Sequence, residues 1–311
     1  MNSFLMAVQV VLPMTMMVGI GVLFRVHKIA DGPTMKKVDN MIFKVFMPML
    51  SFYNVYKTDF TQLKTVGYIL YGAAGLLILF ALAMFLVPKY VKPMPTAAAY
   101  GQAIFRSNYL IFGAAVAESI YGEGNFGFVT LLGAVAVPMY NALSAILLEK
   151  ARNSSASGRK FLVAIAKNPT VIATIAGLAV NFSGIVLPAL LLGVAKDLAG
   201  LTTPLSFLSI GVTLSLGTVE KRGYLISSTV LRLLVIPAVF VSGAALLGFR
   251  GQEMCALLIL FAAPTAVSSY PMAVAMGADG DFAAQMVAYT TVFCLPTIFL
   301  WTLALNALGL M

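Results

Sequence analysis

Hydrophobic residues run along this 311-residue chain in ten long stretches that are separated by short polar segments. A run of about 20 apolar residues is long enough to cross the hydrocarbon core of a bilayer as a helix. The pattern therefore predicts an all-α membrane protein with ten transmembrane helices, spans 1 to 10, at residues 4–25, 36–57, 65–87, 97–118, 126–149, 161–182, 188–216, 223–248, 253–276 and 282–308. Span 7 is too long for one straight helix, and we expect it to begin with an amphipathic turn around Lys196 and Asp197.

The second half of the chain repeats the first at an offset of 156 residues. Residues that match at this offset include Pro13 with Pro169, Gly21 with Gly177, Pro48 with Pro204, Phe105 with Phe261, Gly124 with Gly280 and Phe126 with Phe282. The repeats cover residues 1–152 and 161–311, joined by a linker at 153–160, and each contains five predicted spans. Because five is odd, the second repeat enters the bilayer from the opposite side. Inverted repeats of this kind are typical of secondary transporters with a binding site between the halves.

Composition supports a membrane protein and excludes an ordinary soluble domain. Hydrophobic residues make up 60% of the chain and charged residues 10%, with a mean hydropathy of +0.96. The net charge is +9, and most lysines and arginines lie in the loops after spans 1, 3, 5 and 7. The positive-inside rule places these loops and the linker 153–160 in the cytoplasm and both termini outside a plasma membrane. The basic residues thus reflect topology and contact with lipid, and we expect no nucleic-acid partner.

Polar residues interrupt two spans at equivalent positions of the repeats. Span 4 contains residues 105–109, with the sequence Phe-Arg-Ser-Asn-Tyr, and span 9 contains residues 263–271, so that Asn108 matches Pro264. We expect Pro264 and Pro271 to break span 9, and Arg-Ser-Asn to break span 4 by competing for backbone groups. A broken helix leaves free N–H groups and a partial positive charge where it resumes. Two such breaks that meet form an anion site, unless they are only packing kinks.

Further polar residues within spans have two interpretations each. Arg106 and Arg232 lie well inside spans, where a guanidinium either binds a carboxylate bidentately or pairs with backbone carbonyl groups. Ser51 and Asn54 share one face of span 2 and either line a cavity or bond a neighbouring helix. Three others fit contacts between helices better than contacts with a ligand: Gln102, Tyr140 and Asn141.

Missing motifs exclude several classes of protein. The sequence has no GxxxxGK[ST] motif, and its one histidine, His27, lies in a basic loop, so we expect no ATP-driven pump, enzyme, cofactor or metal site. Carboxylates are scarce within the spans: Glu118 ends span 4, and Asp279 and Asp281 lie in a loop. A proton or sodium relay therefore has no obvious carrier.

Four segments resemble the auxin efflux carrier family, which includes the plant PIN transporters and bacterial malate or malonate permeases. These are Pro48-Met-Leu-Ser51-Phe in span 2, Ser107-Asn108-Tyr109-Leu-Ile-Phe-Gly113 in span 4, Phe207-Leu-Ser-Ile-Gly211 in span 7 and Ala263-Pro264-Thr-Ala-Val-Ser-Ser-Tyr-Pro271-Met-Ala in span 9. The resemblance implies a homodimer with a scaffold of spans 1, 2, 6 and 7, and a moving transport domain of spans 3–5 and 8–10. It also implies that Ser51 and Asn108 face the substrate. The short linker and Arg106 look like the bacterial branch, which points to small organic acids.

The sequence is therefore interpreted as a secondary transporter of small organic anions, mono- or dicarboxylates such as malate or malonate. The candidate substrate-binding residues are Ser51, Asn54, Arg106, Asn108, Tyr109, Pro264, Thr265, Ser268 and Ser269. One alternative is a sodium-coupled symporter of the bile-acid type, which should cluster carboxylates or amides at the breaks. Another is a channel or membrane sensor without turnover.

Overall fold

The computed structural model describes residues 2–57, 66–122, 127–152, 163, 166–214 and 221–311, and these residues fold as helices without a strand. The first half contains α1 Asn2–Val26, α2 Gly32–Met41, α3 Met47–Lys57, α4 Gly67–Ala81, α5 Val87–Tyr90, α6 Met94–Phe105, α7 Tyr109–Tyr121 and α8 Gly127–Arg152. The second half contains α9 Pro169–Phe182, α10 Ala189–Gly200, α11 Thr202–Thr213, α12 Arg222–Val230, α13 Ile236–Leu246, α14 Gly251–Ala262, α15 Ser269–Ala275 and α16 Gly280–Ala307. Single π-helical turns join α2 to α3 (Ile42–Phe46), α4 to α5 (Leu82–Leu86) and α12 to α13 (Leu231–Val235). The linker 153–160 lies outside the described residues.

Several of these helices have the length and apolar composition of membrane spans. Four continuous helical segments meet both criteria: Gly67–Tyr90, Gly127–Arg152, Arg222–Leu246 and Gly280–Ala307. Many of their large apolar side chains point outward, as expected for helices that face lipid rather than water. Spans 4, 7 and 9 do not appear in this set because each is interrupted. The chain is an all-α membrane protein.

Helix ends recur at the same offset as the sequence repeat. Two pairs of ends lie 156 residues apart: Val26 with Phe182, and Tyr90 with Leu246. The next pair, Phe105 and Ala262, is displaced by one residue. The correspondence therefore holds along each half up to the point where spans 4 and 9 are interrupted.

Gly21 and Gly177, one in each half of the chain, make equivalent close contacts with a helix of the other half. A Cβ atom on Gly21 of α1 would lie 2.3 Å from the carbonyl oxygen of Leu208 in α11. A Cβ atom on Gly177 of α9 would lie 3.0 Å from the carbonyl oxygen of Phe52 in α3. Gly21 and Gly177 are 156 residues apart, and so are Phe52 and Leu208. The first helix of each half thus packs on the second span of the other half, and only glycine allows the backbones to approach so closely.

The structure refines one expectation about helix breaks and corrects another. Span 7 is two helices that separate at Leu201, and the first of them, Ala189–Gly200, exposes Lys196 and Asp197. Span 9 is broken at residues 263–268, but Pro271 does not contribute to the break because it lies in the first turn of α15. A proline is tolerated there, since the first backbone N–H groups of a helix have no intrahelical partner.

Candidate functional site

The interruptions of spans 4 and 9 meet, and we call residues 106–108 and 263–268 the crossover. Ser107 and Thr265 form an isolated antiparallel bridge. The backbone N–H of Asn108 donates to the carbonyl oxygen of Pro264 at 2.8 Å. Each broken helix therefore satisfies polar backbone groups of the other, which holds the two breaks together.

Arg232 fastens the helix ends that run into the crossover. It is fully buried on the π-helical turn between α12 and α13. Its guanidinium donates to the carbonyl oxygens of Ile104 at 3.0 Å, Leu260 at 3.2 Å and Ala263 at 2.9 Å. These carbonyl groups belong to the last turn of α6 and to the end of α14, where the helix dipole gives a partial negative charge. Of the two interpretations of Arg232, the structure supports pairing with backbone carbonyls.

Arg106 brings a positive charge into the crossover without a carboxylate beside it. The side chain is 5% exposed. It donates to the side-chain oxygen of Asn141 at 3.0 Å, to Ser268 Oγ at 3.0 Å and to Met272 Sδ at 3.3 Å. All three acceptors are neutral, and neither ion pair of the described residues involves Arg106. A buried charge that is bonded only to neutral groups is poorly compensated, so it favours an anion nearby.

A cavity of about 120 Å³ lies against the crossover. Asn108 lines it from the N-cap position of α7 and is 7% exposed. The Nδ2 group of Asn108 has no hydrogen-bond partner. The cavity thus combines an unused amide donor, the N-terminal end of a 13-residue helix and the guanidinium of Arg106. These three groups all favour a negatively charged ligand.

Asn141 connects Arg106 to other helices around the cavity. Its Nδ2 group donates to Ser51 Oγ at 2.7 Å and to Thr174 Oγ1 at 3.4 Å, while its oxygen accepts from Arg106. Asn141 on α8 therefore links α3 and α9 with the break after α6. The sequence suggested contacts between helices for this residue, and the structure adds a place in the cavity wall. In the sequence, both roles are indicated by the same feature, an asparagine within an apolar run.

The structure places the nine predicted site residues in two groups. Six of them line the cavity: Ser51, Asn54, Arg106, Asn108, Tyr109 and Ser268. The other three lie at or beside the crossover but not in the cavity wall. Pro264 accepts the Asn108 N–H, Thr265 Oγ1 donates to the Ala103 carbonyl oxygen at 3.0 Å, and Ser269 is buried.

Tyr140 and Thr203 are among the lining residues that were not predicted as part of a site. Tyr140, whose hydroxyl group lies 2.8 Å from Ser107 Oγ, was expected to contact helices only. Thr203 lies in the first turn of α11 and matches Met47 at the repeat offset, and both residues line the cavity. Thr203 carries no signal in the sequence, because its position depends on the break of span 7 at Leu201.

Comparisons with known proteins extend over both halves and the crossover. A family model described as "Membrane transport protein" matches residues 6–302. The uncharacterized transporter MJ1031 of Methanocaldococcus jannaschii is 24% identical to this chain over 309 residues, which cover 94% of this chain and 97% of the archaeal protein.

Proposed function

This chain belongs to the membrane transport protein family, which is that of the auxin efflux carriers, and on this premise we propose that it carries small organic anions across the plasma membrane by alternating access. Membership makes it a membrane transporter rather than an enzyme. The proposed substrates are mono- or dicarboxylates such as malate or malonate. The observation that carries this proposal is the buried guanidinium of Arg106, which faces the cavity with only neutral hydrogen-bond partners.

A carboxylate in the cavity complements each polar group that converges there. Arg106 supplies the counter-charge and can bind two oxygens in parallel. Asn108 offers its free Nδ2 group, and the start of α7 offers a partial positive charge. A second carboxylate on the same ligand requires more positive charge than the helix end provides. We therefore assign the binding of dianions chiefly to Arg106.

The proposed architecture is a pair of inverted five-span repeats. The recurrence of helix ends at 156 residues and the paired contacts of Gly21 and Gly177 support a two-fold relation between the halves. In this arrangement α1–α3 and α9–α11 form the scaffold, and the remaining helices form the transport domain. Ser51 and Thr174 of the scaffold meet Asn141 of the transport domain beside the cavity. Movement of the transport domain then breaks and remakes these bonds as the site changes sides.

The alternative functions require different properties from those of the proposed anion transporter. A sodium-coupled symporter binds its cation through carboxylate, amide or backbone carbonyl oxygens. The cavity offers the amides of Asn54, Asn108 and Asn141. However, no Asp or Glu is among the described residues that line it, and the charge of Arg106 repels a cation. A channel or sensor has no turnover and does not exchange substrate across the membrane. Exchange measurements with and without sodium therefore separate the three.

Counterflow in liposomes tests the proposal. Purified protein is reconstituted into liposomes with unlabelled malate inside, and the entry of labelled malate is measured. The same measurement is repeated with malonate and with acetate. We expect saturable exchange by the wild type. In Asn108→Ala the apparent affinity should fall roughly 10- to 150-fold, since a hydrogen bond to a charged group contributes about 1.5–3 kcal/mol. Asn306→Ala, which removes an exposed amide near the end of α16, should exchange like the wild type. Absence of exchange of all three anions by the wild type contradicts the proposal.

A further inference from the structure

Asp39 is a buried carboxylate within span 2. It lies on α2, is 1% exposed, and neither of its carboxylate oxygens has a hydrogen-bond partner. The expectation that the spans offer no proton carrier overlooks this residue, which is near the start of the 36–57 run and follows Lys36 and Lys37. An ionised carboxylate at such a place is costly unless a charge or several donors compensate it.

Hydroxyl groups from two other helices surround Asp39. Ser209 of α11 and Tyr270 of α15 lie close enough to interact with its carboxylate. Tyr270 Oη is 3.0 Å from Thr213 Oγ1 and 3.4 Å from Ser209 Oγ. These groups are neutral and can either donate or accept hydrogen bonds. They therefore suit both the ionised and the protonated form of the carboxyl group.

A second cavity, of about 440 Å³, lies beside Asp39. Three charged residues line it together with Asp39 and Tyr270: Lys36, Asp279 and Asp281. Lys36 is exposed, and Asp279 is held in an ion pair with Lys221. Among the described residues no basic side chain forms an ion pair with Asp39. The cavity thus lies beside a buried carboxyl group that has no ion-pair partner among these residues.

One short helix links Asp39 to the crossover. Tyr270, which contacts the neighbours of Asp39, is the second residue of the seven-residue helix α15. Ser268 and Met272, two residues to either side of it, both accept hydrogen bonds from Arg106. A change of charge at Asp39 and a change of ligand at Arg106 therefore act on the same helix.

We infer that Asp39 is a proton-binding site that couples the movement of a proton to that of the organic anion, which rests on the proposed function. A proton from the second cavity adds to a carboxylate oxygen and gives a neutral acid, which packs between α2, α11 and α15 without a counter-ion. Movement of the transport domain carries α15 away from α2 of the scaffold, which opens the carboxyl group to water and releases the proton. Coupling requires that this opening be on the side opposite the second cavity; the proton then crosses with the anion and reduces the net negative charge that is moved.

Transport driven by a pH gradient tests the coupling. Liposomes that contain the wild type are given a pH gradient without a malate gradient, and accumulation of labelled malate is compared with counterflow at equal pH. We expect the gradient to raise accumulation several-fold in the wild type and in Asp281→Asn, a control in the same cavity. In Asp39→Asn the response to the gradient should be lost, and its remaining counterflow shows that the variant is folded.

Two results overturn the coupling while leaving the proposed function intact. One is counterflow by the wild type without any response to pH, and the other is an Asp39→Asn variant that responds like the wild type. Accumulation driven by a sodium gradient at equal pH, and lost in Asp39→Asn, assigns the site to a metal cation instead and also overturns the inference.

Infrared spectroscopy tests proton binding without any substrate. At mildly acidic pH the wild type should show the C=O stretching band of a protonated carboxylic acid, which disappears as the pH is raised. The band should be missing in Asp39→Asn and present in Asp281→Asn. A wild-type spectrum without this band overturns the inference, whatever the transport measurements give.

Discussion

The guanidinium of Arg106 donates a hydrogen bond to the side-chain oxygen of Asn141, 3.0 Å away. The amide nitrogen of Asn141 is meanwhile bonded to Ser51, so the amide presents its neutral oxygen to the charge. An aspartate here would have nearly the same shape and would neutralise Arg106. An amide instead positions the guanidinium and leaves its charge available to a ligand.

Asn141→Asp should therefore weaken the binding of anions. The new carboxylate forms an ion pair with Arg106 and competes with the substrate for the same donors. We expect the affinity for malonate to fall at least 10-fold, which corresponds to about 1.4 kcal/mol. Thermal stabilisation by increasing malonate concentrations measures this affinity. Asn306→Asp adds a carboxylate at an exposed position and should behave as the wild type. Unchanged affinity in Asn141→Asp means that Arg106 is not the counter-charge.

Arg232→Gln should weaken the fold rather than the selectivity. Arg232 is fully buried and bonds to three backbone carbonyl oxygens at the ends of α6 and α14. The variant leaves buried carbonyl oxygens without a donor, and each unsatisfied group costs about 1–3 kcal/mol. We expect a lower midpoint of thermal unfolding in detergent and a lower yield, with an unchanged ranking of anions in counterflow.

Arg222→Gln is the matched control for this variant, because Arg222 is exposed on the first turn of the helix that leads to Arg232. It should unfold at the wild-type temperature. A stable Arg232→Gln protein with an altered ranking of anions would place Arg232 in the binding site.

The breaks in spans 4 and 9 could be predicted because residues at the breaks themselves cause them. Pro264 cannot donate a backbone hydrogen bond, and the Arg-Ser-Asn sequence that ends at Asn108 competes for backbone groups. The repeat then indicated that the two breaks are equivalent, and the bridge between Ser107 and Thr265 shows that they meet. The family was likewise identified from motifs that the chain carries in order, and the family comparison confirms it.

The partners of the polar groups could not be predicted, because they depend on contacts between distant segments. Asn141 meets Ser51 and Arg106 only after α8 packs beside both of their helices. Asp39 is buried through α11 and α15, which are more than 150 residues away in sequence. Because Asp39 follows the basic residues at the start of span 2, its sequence context suggests a solvated loop. Only the tertiary packing buries its side chain.

Asp279 should contribute stability that disappears in acid. Its carboxylate accepts hydrogen bonds from Lys221 and from Thr96, the latter at 2.6 Å. Burial raises the pKa of Asp279, but these bonds and one from the Phe282 N–H outweigh it and bring the pKa below the ordinary 3.8. The stabilisation is therefore fully present above about pH 4 and is lost as the pH falls through the lowered pKa.

Thermal unfolding of the wild type and Asp279→Asn across this range tests the expectation. Asparagine keeps the N-cap of α16, so the comparison isolates the charge. The wild type should be more stable at pH 7, by less than about 1 kcal/mol because Lys221 is partly exposed, and the difference should vanish below the lowered pKa. A difference that grows in acid would contradict the assigned direction.

A cysteine at Ser155 tests the orientation of the chain. Ser155 belongs to the linker 153–160, which the distribution of basic residues places in the cytoplasm. Cys255 and Cys294 are both buried, so they add little background labelling. In intact cells we expect Ser155→Cys to react with a membrane-permeant maleimide and not with an impermeant one. Labelling by the impermeant reagent would reverse the predicted topology.

The central claim is that Arg106 supplies the counter-charge for a carboxylate at the crossover, and counterflow of two substrates by Arg106→Gln tests it most directly. Exchange of a monocarboxylate, acetate, and a dicarboxylate, malonate, is compared with the wild type at matched expression. We expect the apparent affinity for malonate to fall more than that for acetate, because the end of α7 and Asn108 still hold one negative charge. An equal loss for both substrates, or no loss for either, would contradict it.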